Sequence, residues 1–123
     1  PEKEIAGIAN LISTFKKSGY KSLGIVCKTE LQAKETDLQL KKYTDEVYFL
    51  SNQSTAFVKG IIITSAHMAK GLEFDEVIIP QTDNKNYHSE IDRSMLYVAT
   101  TRAMHKLTLT YSGRKSELLH NNT

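Results

Sequence analysis

Three consecutive isoleucines, Ile61–Ile63, stand inside the short segment KGIIIT (59–64). A β-strand turns alternate side chains to opposite faces, so an unbroken apolar triplet is covered on both. That requirement points to a parallel sheet with helices on either side and argues against a sheet with one wet face. Other segments fit around such a strand. SLGIVC (22–27) is a second apolar run of strand length, and Val47–Leu50 is a shorter one. EVIIP (76–80) is closed by a proline that cannot donate to a ladder. Leu107, Leu109 and Tyr111 alternate with Thr108 and Thr110 in a fifth strand. Where strands connect directly, one edge of the sheet is open to an antiparallel partner.

Helical patterns separate these runs. From Pro1 to Lys17, Ile5, Ile8, Leu11, Ile12 and Phe15 recur at spacings of three and four. Glu2 and Glu4 suit the positive end of that helix, Lys16 and Lys17 its negative end, and Gly19 stops it. Thr29 and Gln32 have the form of a capping box opening a second helix that runs to about Tyr43. SNQST (51–55) reads as a polar turn. The loop QTDNKNYH (81–88) leads to a third helix, Ser89 to about Thr101, expected to turn Ile91, Met95 and Val98 inward. The tail SGRKSELLHNNT (112–123) is expected to fray. Strands alternating with helices make a three-layer α/β domain with a mostly parallel sheet of about five strands.

Composition narrows the classes. A chain of 123 residues is one domain by size, with 40% hydrophobic and 24% charged residues, as in ordinary globular proteins. Cys27 is the lone cysteine, which excludes an internal disulfide and a cysteine-based zinc site and suits a reducing cytoplasm. No apolar stretch is long enough to span a membrane. The net charge of +2 permits contact with nucleic acid without requiring it. A start at Pro1 is expected of a fragment of a larger protein.

What is missing also constrains function. The first strand runs into VCKTELQAK (26–34), with no G-x-x-x-x-G-K-[ST] or G-x-G-x-x-G loop. This domain has no Walker A loop of its own to cradle nucleotide phosphates, and a dinucleotide-binding enzyme is a poor fit.

Two ordered strings carry the specific information: AKGLEFDEV (69–77), within 64–80, and LYVATTRAMHKL (96–107), within 92–109. They resemble motifs V and VI of superfamily 1A helicases of the UvrD/Rep/PcrA type. DR (92–93) with LYVATTRAMH is closest to the helicase IV/HelD branch. The resemblance implies a RecA-like (P-loop NTPase-type) domain, the second of two that close on ATP and Mg²⁺. Those ligands are held mainly by an N-terminal RecA-like domain of the same chain, and single-stranded DNA is ratcheted across both. It implies that Arg102 is an arginine finger for the γ-phosphate, a role suited to a planar, permanently charged group. An isolated arginine there would read as an ordinary helix-end residue. It implies that Glu73 accepts from the nucleotide ribose and that Gly71 lets backbone approach the nucleotide. Both are expected beyond a strand end, where α/β folds place ligands.

His67, Ser65 and Thr64 match positions that contact the DNA backbone. Lys70 either meets a phosphate or braces the loop. Met68 stands where the family commonly has a serine. Arg93 matches a family arginine but equally suits a surface ion pair, and Tyr97 reads as core or cleft wall. The family's further phosphate-sensing arginine, in an N-Y-R-S-like string, does not occur here and is expected upstream. The same motor in a HelD-like factor would instead take RNA polymerase as its partner. A helicase-derived scaffold without catalysis is a third reading, disfavoured by the presence of both Arg102 and Glu73.

Overall fold

The isoleucine triplet lies in a six-residue strand, and all three side chains are buried. The computed structural model describes residues 2–50, 60–69, 72–82 and 89–111. Along them run α1 (Glu2–Lys17), β1 (Ser22–Cys27), α2 (Glu30–Leu40), β2 (Val47–Phe49), β3 (Gly60–Ser65), β4 (Phe74–Ile79), α3 (Glu90–Thr100) and β5 (Ala103–Leu109). The strands form one five-stranded sheet in the order β2-β3-β1-β4-β5. Every neighbouring pair is parallel, so the expected antiparallel edge does not occur. The direct β3–β4 connection, which invited that expectation, is no hairpin. Its strands flank β1 on opposite sides, and the chain must return to the starting edge between them.

Alternation along the strands sorts side chains into two cores. Leu23, Ile25 and Cys27 of β1, Ile61 and Ile63 of β3, and Ile78 of β4 pack beneath α1 and α2. Val26, Ile62, Val77 and Ile79 face the other way, against Leu96 and Ala99 of α3 and Ala66 and Ala69 of the β3–β4 connection. Helices on both faces of a parallel sheet make the three-layer α/β arrangement expected from the isoleucines.

Several local expectations change. α2 stops at Leu40, because Tyr43 N–H bonds back three residues to the Leu40 carbonyl at 2.9 Å and tightens the last turn. Ile91 does not point inward; it is 74% exposed. The buried residues of α3 are Asp92, Leu96 and Ala99, a stripe rotated roughly 100° from Ile91. That phase is set at the helix start, where Ser89 and Asp92 form a reciprocal capping box and Asp92 pairs with Lys28 of the β1 end at 2.7 Å. Met95 and Val98 sit half-buried on the flank, and Tyr97 is exposed rather than core. The turn at 51–55, most of the loop before α3, Lys70, Gly71 and the tail from 112 onward lie outside the described residues.

Gly24 permits the closest contact in the second core. The Phe74 ring lies against it so tightly that an added Cβ would fall 2.5 Å from Phe74 Cδ2, and Phe74 is fully enclosed. No side chain fits there without moving the ring. Gly24→Ala should therefore destabilise the chain by about 1–3 kcal/mol through overpacking. Thermal unfolding would show this as a melting point lowered by several degrees, roughly 4 °C or more. An unchanged melting point would mean that the ring can swing aside.

Candidate functional site

A parallel sheet has two distinct edges, one where all strands begin and one where all end. The residues singled out from the sequence divide between them.

At the carboxyl edge, β3 delivers Thr64, Ser65 and then His67. Thr64 is fully buried, and its hydroxyl donates to the Leu50 carbonyl at 3.0 Å. Its side chain tethers the end of β2 and presents nothing to an external ligand, which removes it from the expected set of DNA contacts. Ser65 is 4% exposed, and its Oγ accepts the Met68 N–H at 3.2 Å, so it caps the turn 66–69. Ala66 N–H donates to the Cys27 carbonyl at 2.7 Å and holds that turn over the end of β1. His67 is exposed. With Ala66, Ser94, Met95 and Val98 it lines a largely apolar groove of about 160 Å³ between the turn and α3.

At the amino edge, β4 and β5 begin side by side. Phe74 N–H donates to the Arg102 carbonyl at 2.9 Å, which joins the residue after Glu73 directly to Arg102. Glu73 is exposed and Arg102 half-buried. Arg102 follows the Thr101 cap of α3, and its Nη2 donates to Thr101 Oγ1 at 3.1 Å. Its Nε is buried with no hydrogen-bond partner among the described residues. Glu73 thus lies at the opposite edge from the strand ends where it was expected. The cause is topological: β4 is parallel to β3, so the residue before Phe74 has already been carried back to the start of the sheet. The structure brings Glu73 and Arg102 together and places His67 away from both. Gly71 and Lys70 lie outside the described residues. Arg93 is an exposed partner of Glu90 at 3.7 Å.

Four acidic residues make tertiary contacts or are buried in ways that the sequence did not announce, Glu4 having been read only as suiting the positive end of its helix. Glu4 is buried, and its Oε2 accepts from Gln81 N–H at 2.6 Å and Thr110 Oγ1 at 2.7 Å, tying α1 to the ends of β4 and β5. Asp75 Oδ2 accepts the Lys21 and Ser22 amides at 2.7 and 3.3 Å. Asp92 pairs with Lys28, and Glu76 is buried mid-strand. A sharp polar-in-apolar signal marked only Glu76, inside the run FDEVII. The Cys27 thiol is fully buried and donates to Thr36 Oγ1; burial pushes it up to about 12, the bond with Thr36 opposes this and Glu4 adds slightly to it, which disfavours the thiolate a nucleophile needs.

Comparison with known proteins identifies the family and agrees with the fold. A family model described as UvrD-like helicase C-terminal domain matches residues 1–114. Over 53 residues the chain is 47% identical to the Gabija protein GajB of Bacillus cereus (strain VD045), covering 43% of this chain and 10% of that protein. Over 70 residues it is 34% identical to DNA helicase II of Escherichia coli (strain K12), covering 49% of this chain and 10% of that protein. The matched stretches therefore span about a tenth of these relatives. The C-terminal domain of a possible DNA helicase from Lactobacillus plantarum WCFS1 superposes with a TM-score of 0.86 at 28% identity, over 97% of this chain and 73% of that one. The C-terminal domain of the DEAD-box protein Dbp5 shares the fold, with a TM-score of 0.59 at 13% identity over 98% of this chain and 74% of that one.

Glu76 generates a pH-dependent prediction. Burial pushes its carboxyl above the ordinary carboxylate range, and Lys106 on the neighbouring strand, 3.8 Å away, only partly offsets this. A raised folded-state value means that the folded chain holds the proton more tightly than the unfolded chain does. The ionised carboxylate therefore costs stability at neutral pH, and the cost fades as pH falls through the raised value toward 4.5, the unperturbed one. Glu76→Gln should raise the melting point at pH ~8, with the gain shrinking near pH ~5. A variant equally destabilised at both values would show that the Lys106 pair outweighs the burial.

Proposed function

Because the chain belongs to the UvrD-like helicase C-terminal domain family, we propose that it is the second motor domain of an ATP-driven DNA helicase or translocase. One observation carries the reading. Glu73 and Arg102 meet at the amino edge through the Phe74–Arg102 backbone bond, whereas His67 stands exposed at the carboxyl edge of the same connection. A motor needs its fuel and its track at separate places joined by one element, and residues 66–73 join them here.

In this reading ATP is the substrate, held with Mg²⁺ mainly by a facing domain that carries the phosphate loop this chain lacks. The Arg102 guanidinium stabilises charge that accumulates on the transferring phosphoryl oxygens. Its orphaned Nε fits a group whose remaining partner arrives from outside. Its neighbour Glu73 is exposed, which leaves the carboxylate open to a ribose hydroxyl and supports that role. Single-stranded DNA crosses the opposite edge, where His67 and the backbone of the turn 66–69 supply neutral contacts that hold phosphates without reading bases. The presence of Arg102 and Glu73 at one edge favours this motor over a scaffold that has lost catalysis.

Two measurements test it. The 123-residue chain alone should hydrolyse no ATP even with saturating single-stranded DNA, because nothing in it cradles the phosphates. Robust turnover after a contamination control would refute the assignment. In the full-length protein, Arg102→Ala should lose about 4–7 kcal/mol of transition-state stabilisation, the range of other arginine fingers. Arg102→Lys should be nearly as damaging, since an ammonium cannot reproduce the planar fork. Nucleotide-free binding to single-stranded DNA should hardly change in either. A lysine variant with normal ATPase would end the finger assignment, because a merely structural arginine at a helix end tolerates lysine.

A further inference from the structure

The start of β5 is not regular. Phe74 pairs with Ala103 and Glu76 with Lys106, so two residues of β5, Met104 and His105, stand opposite the single residue Asp75. An extra residue of this kind bends its strand and re-aims neighbouring side chains, and such bulges concentrate next to active sites. This one begins two residues after Arg102.

Asp75 is bonded to the start of β1 and faces the bulge at one point. Its Oδ2 accepts the first amides of the central strand, from Lys21 and Ser22. Its own N–H donates to Ser22 Oγ at 2.9 Å, closing a reciprocal pair between β1 and β4. Its Oδ1 lies 3.9 Å from His105 Nε2 in the bulge. The outer face of the His105 imidazole is backed by Tyr20, whose ring stacks parallel to it with centroids 5.5 Å apart and planes 5° apart. A surface carboxylate with no task beyond solubility would not bond across 53 residues of sequence to Ser22 and also face His105 on the other neighbouring strand.

We infer that Asp75, acting through His105, is a positioning residue for Arg102. It anchors the bulge to the buried central strand and so sets the direction in which the α3–β5 junction presents the guanidinium. The inference rests on the reading of Arg102 as the phosphate-contacting arginine. The same bulge is joined to Glu73 through Phe74, whose N–H holds the Arg102 carbonyl, so both nucleotide-facing residues hang from one clamp.

The test uses the full-length protein and a double-mutant comparison. Asp75→Asn keeps the size of the side chain and one acceptor oxygen but loses the carboxylate. His105→Ala leaves the Lys21 and Ser22 caps intact and removes only the grip on the bulge. Each should lower kcat for DNA-stimulated ATP hydrolysis roughly tenfold or more, the scale expected when a catalytic group is displaced by a fraction of an ångström to an ångström. KM for ATP should move less than kcat, and nucleotide-free DNA affinity should stay within about twofold, since the DNA-facing edge is remote. In an Arg102→Ala background neither change should lower the rate further, because the group they position is gone. A loss by the same factor in both backgrounds, or wild-type kcat in His105→Ala, would overturn the inference. If Asp75→Asn fails to fold, His105→Ala alone decides. An Arg102→Ala protein with normal ATPase would instead overturn the reading of Arg102 on which this one rests, so the two failures are distinguishable.

Discussion

The enclosure of β1 governs the rest of the molecule. Leu23, Ile25, Val26 and Cys27 are all completely buried, and both ladders of the strand are occupied by parallel neighbours. Its two neighbours run parallel to it, and the outer strands run parallel to them in turn. All five therefore start at one edge and finish at the other. Residues that immediately precede a strand, such as Glu73 and Arg102, collect at the amino edge. Residues that immediately follow one, such as Lys28, Ala66 and Gln81, collect at the carboxyl edge. The separation of the two groups of candidate site residues is thus a consequence of sheet polarity and needs no further device.

Acidic side chains hold this arrangement at its periphery. Glu4 joins the first helix to the last strands, Asp92 joins α3 to the end of β1, and Asp75 joins the start of β4 to the start of β1. Burying a carboxylate is costly unless its oxygens are met by donors, and these three receive backbone amides, a hydroxyl or an ammonium at 2.6–3.3 Å. Glu76 shows what happens otherwise. It is as deeply buried as the apolar core, yet its Oε2 has no hydrogen bond and Lys106 stands at 3.8 Å. Burial pushes its carboxyl toward the neutral form. The contrast separates acids that organise the fold from one that strains it.

The strands and helices were legible because burial writes itself into apolar period. Ile61–Ile63 demanded two covered faces and received them, and Thr29 caps α2 through the Gln32 amide at 3.1 Å as its spacing implied. The failures occurred where a tertiary contact overrode the pattern. Ile91, Met95 and Val98 form an apolar stripe, but a buried ion pair between Asp92 and Lys28 rotated α3 so that Ile91 faces outward. Thr64 continues the buried run of β3, and the alternation itself should have removed it from the contact set. For the site, ordered strings picked out Arg102 and Glu73, but one-dimensional spacing contains no information on which sheet edge a residue occupies. Asp75 and His105 were invisible for a similar reason: a bulge is a relation between two strands, and neither strand alone displays it.

The β3–β4 connection turns these static constraints into a possible transmission. At its first end, Ala66 is bonded to the end of β1 and Ser65 caps the turn that carries His67. At its last end, Phe74 is wedged against Gly24 and bonded to the Arg102 carbonyl. Between them Ala66, Ala69 and Leu72 pack into the α3-side core, and Leu72 N–H closes onto the Ala69 carbonyl at 2.9 Å. An element anchored at both ends and packed along its described length has little room to absorb a displacement. Close-packed interiors transmit strain because their contacts cannot be compressed piecemeal. In a motor of the proposed kind, a shift of Arg102 toward a nucleotide would therefore be resisted or followed as a unit by Phe74 and the turn behind it. Phe74 is the residue that contacts both ends of this chain of bonds, and Gly24 is what allows its ring to lie so close to β1.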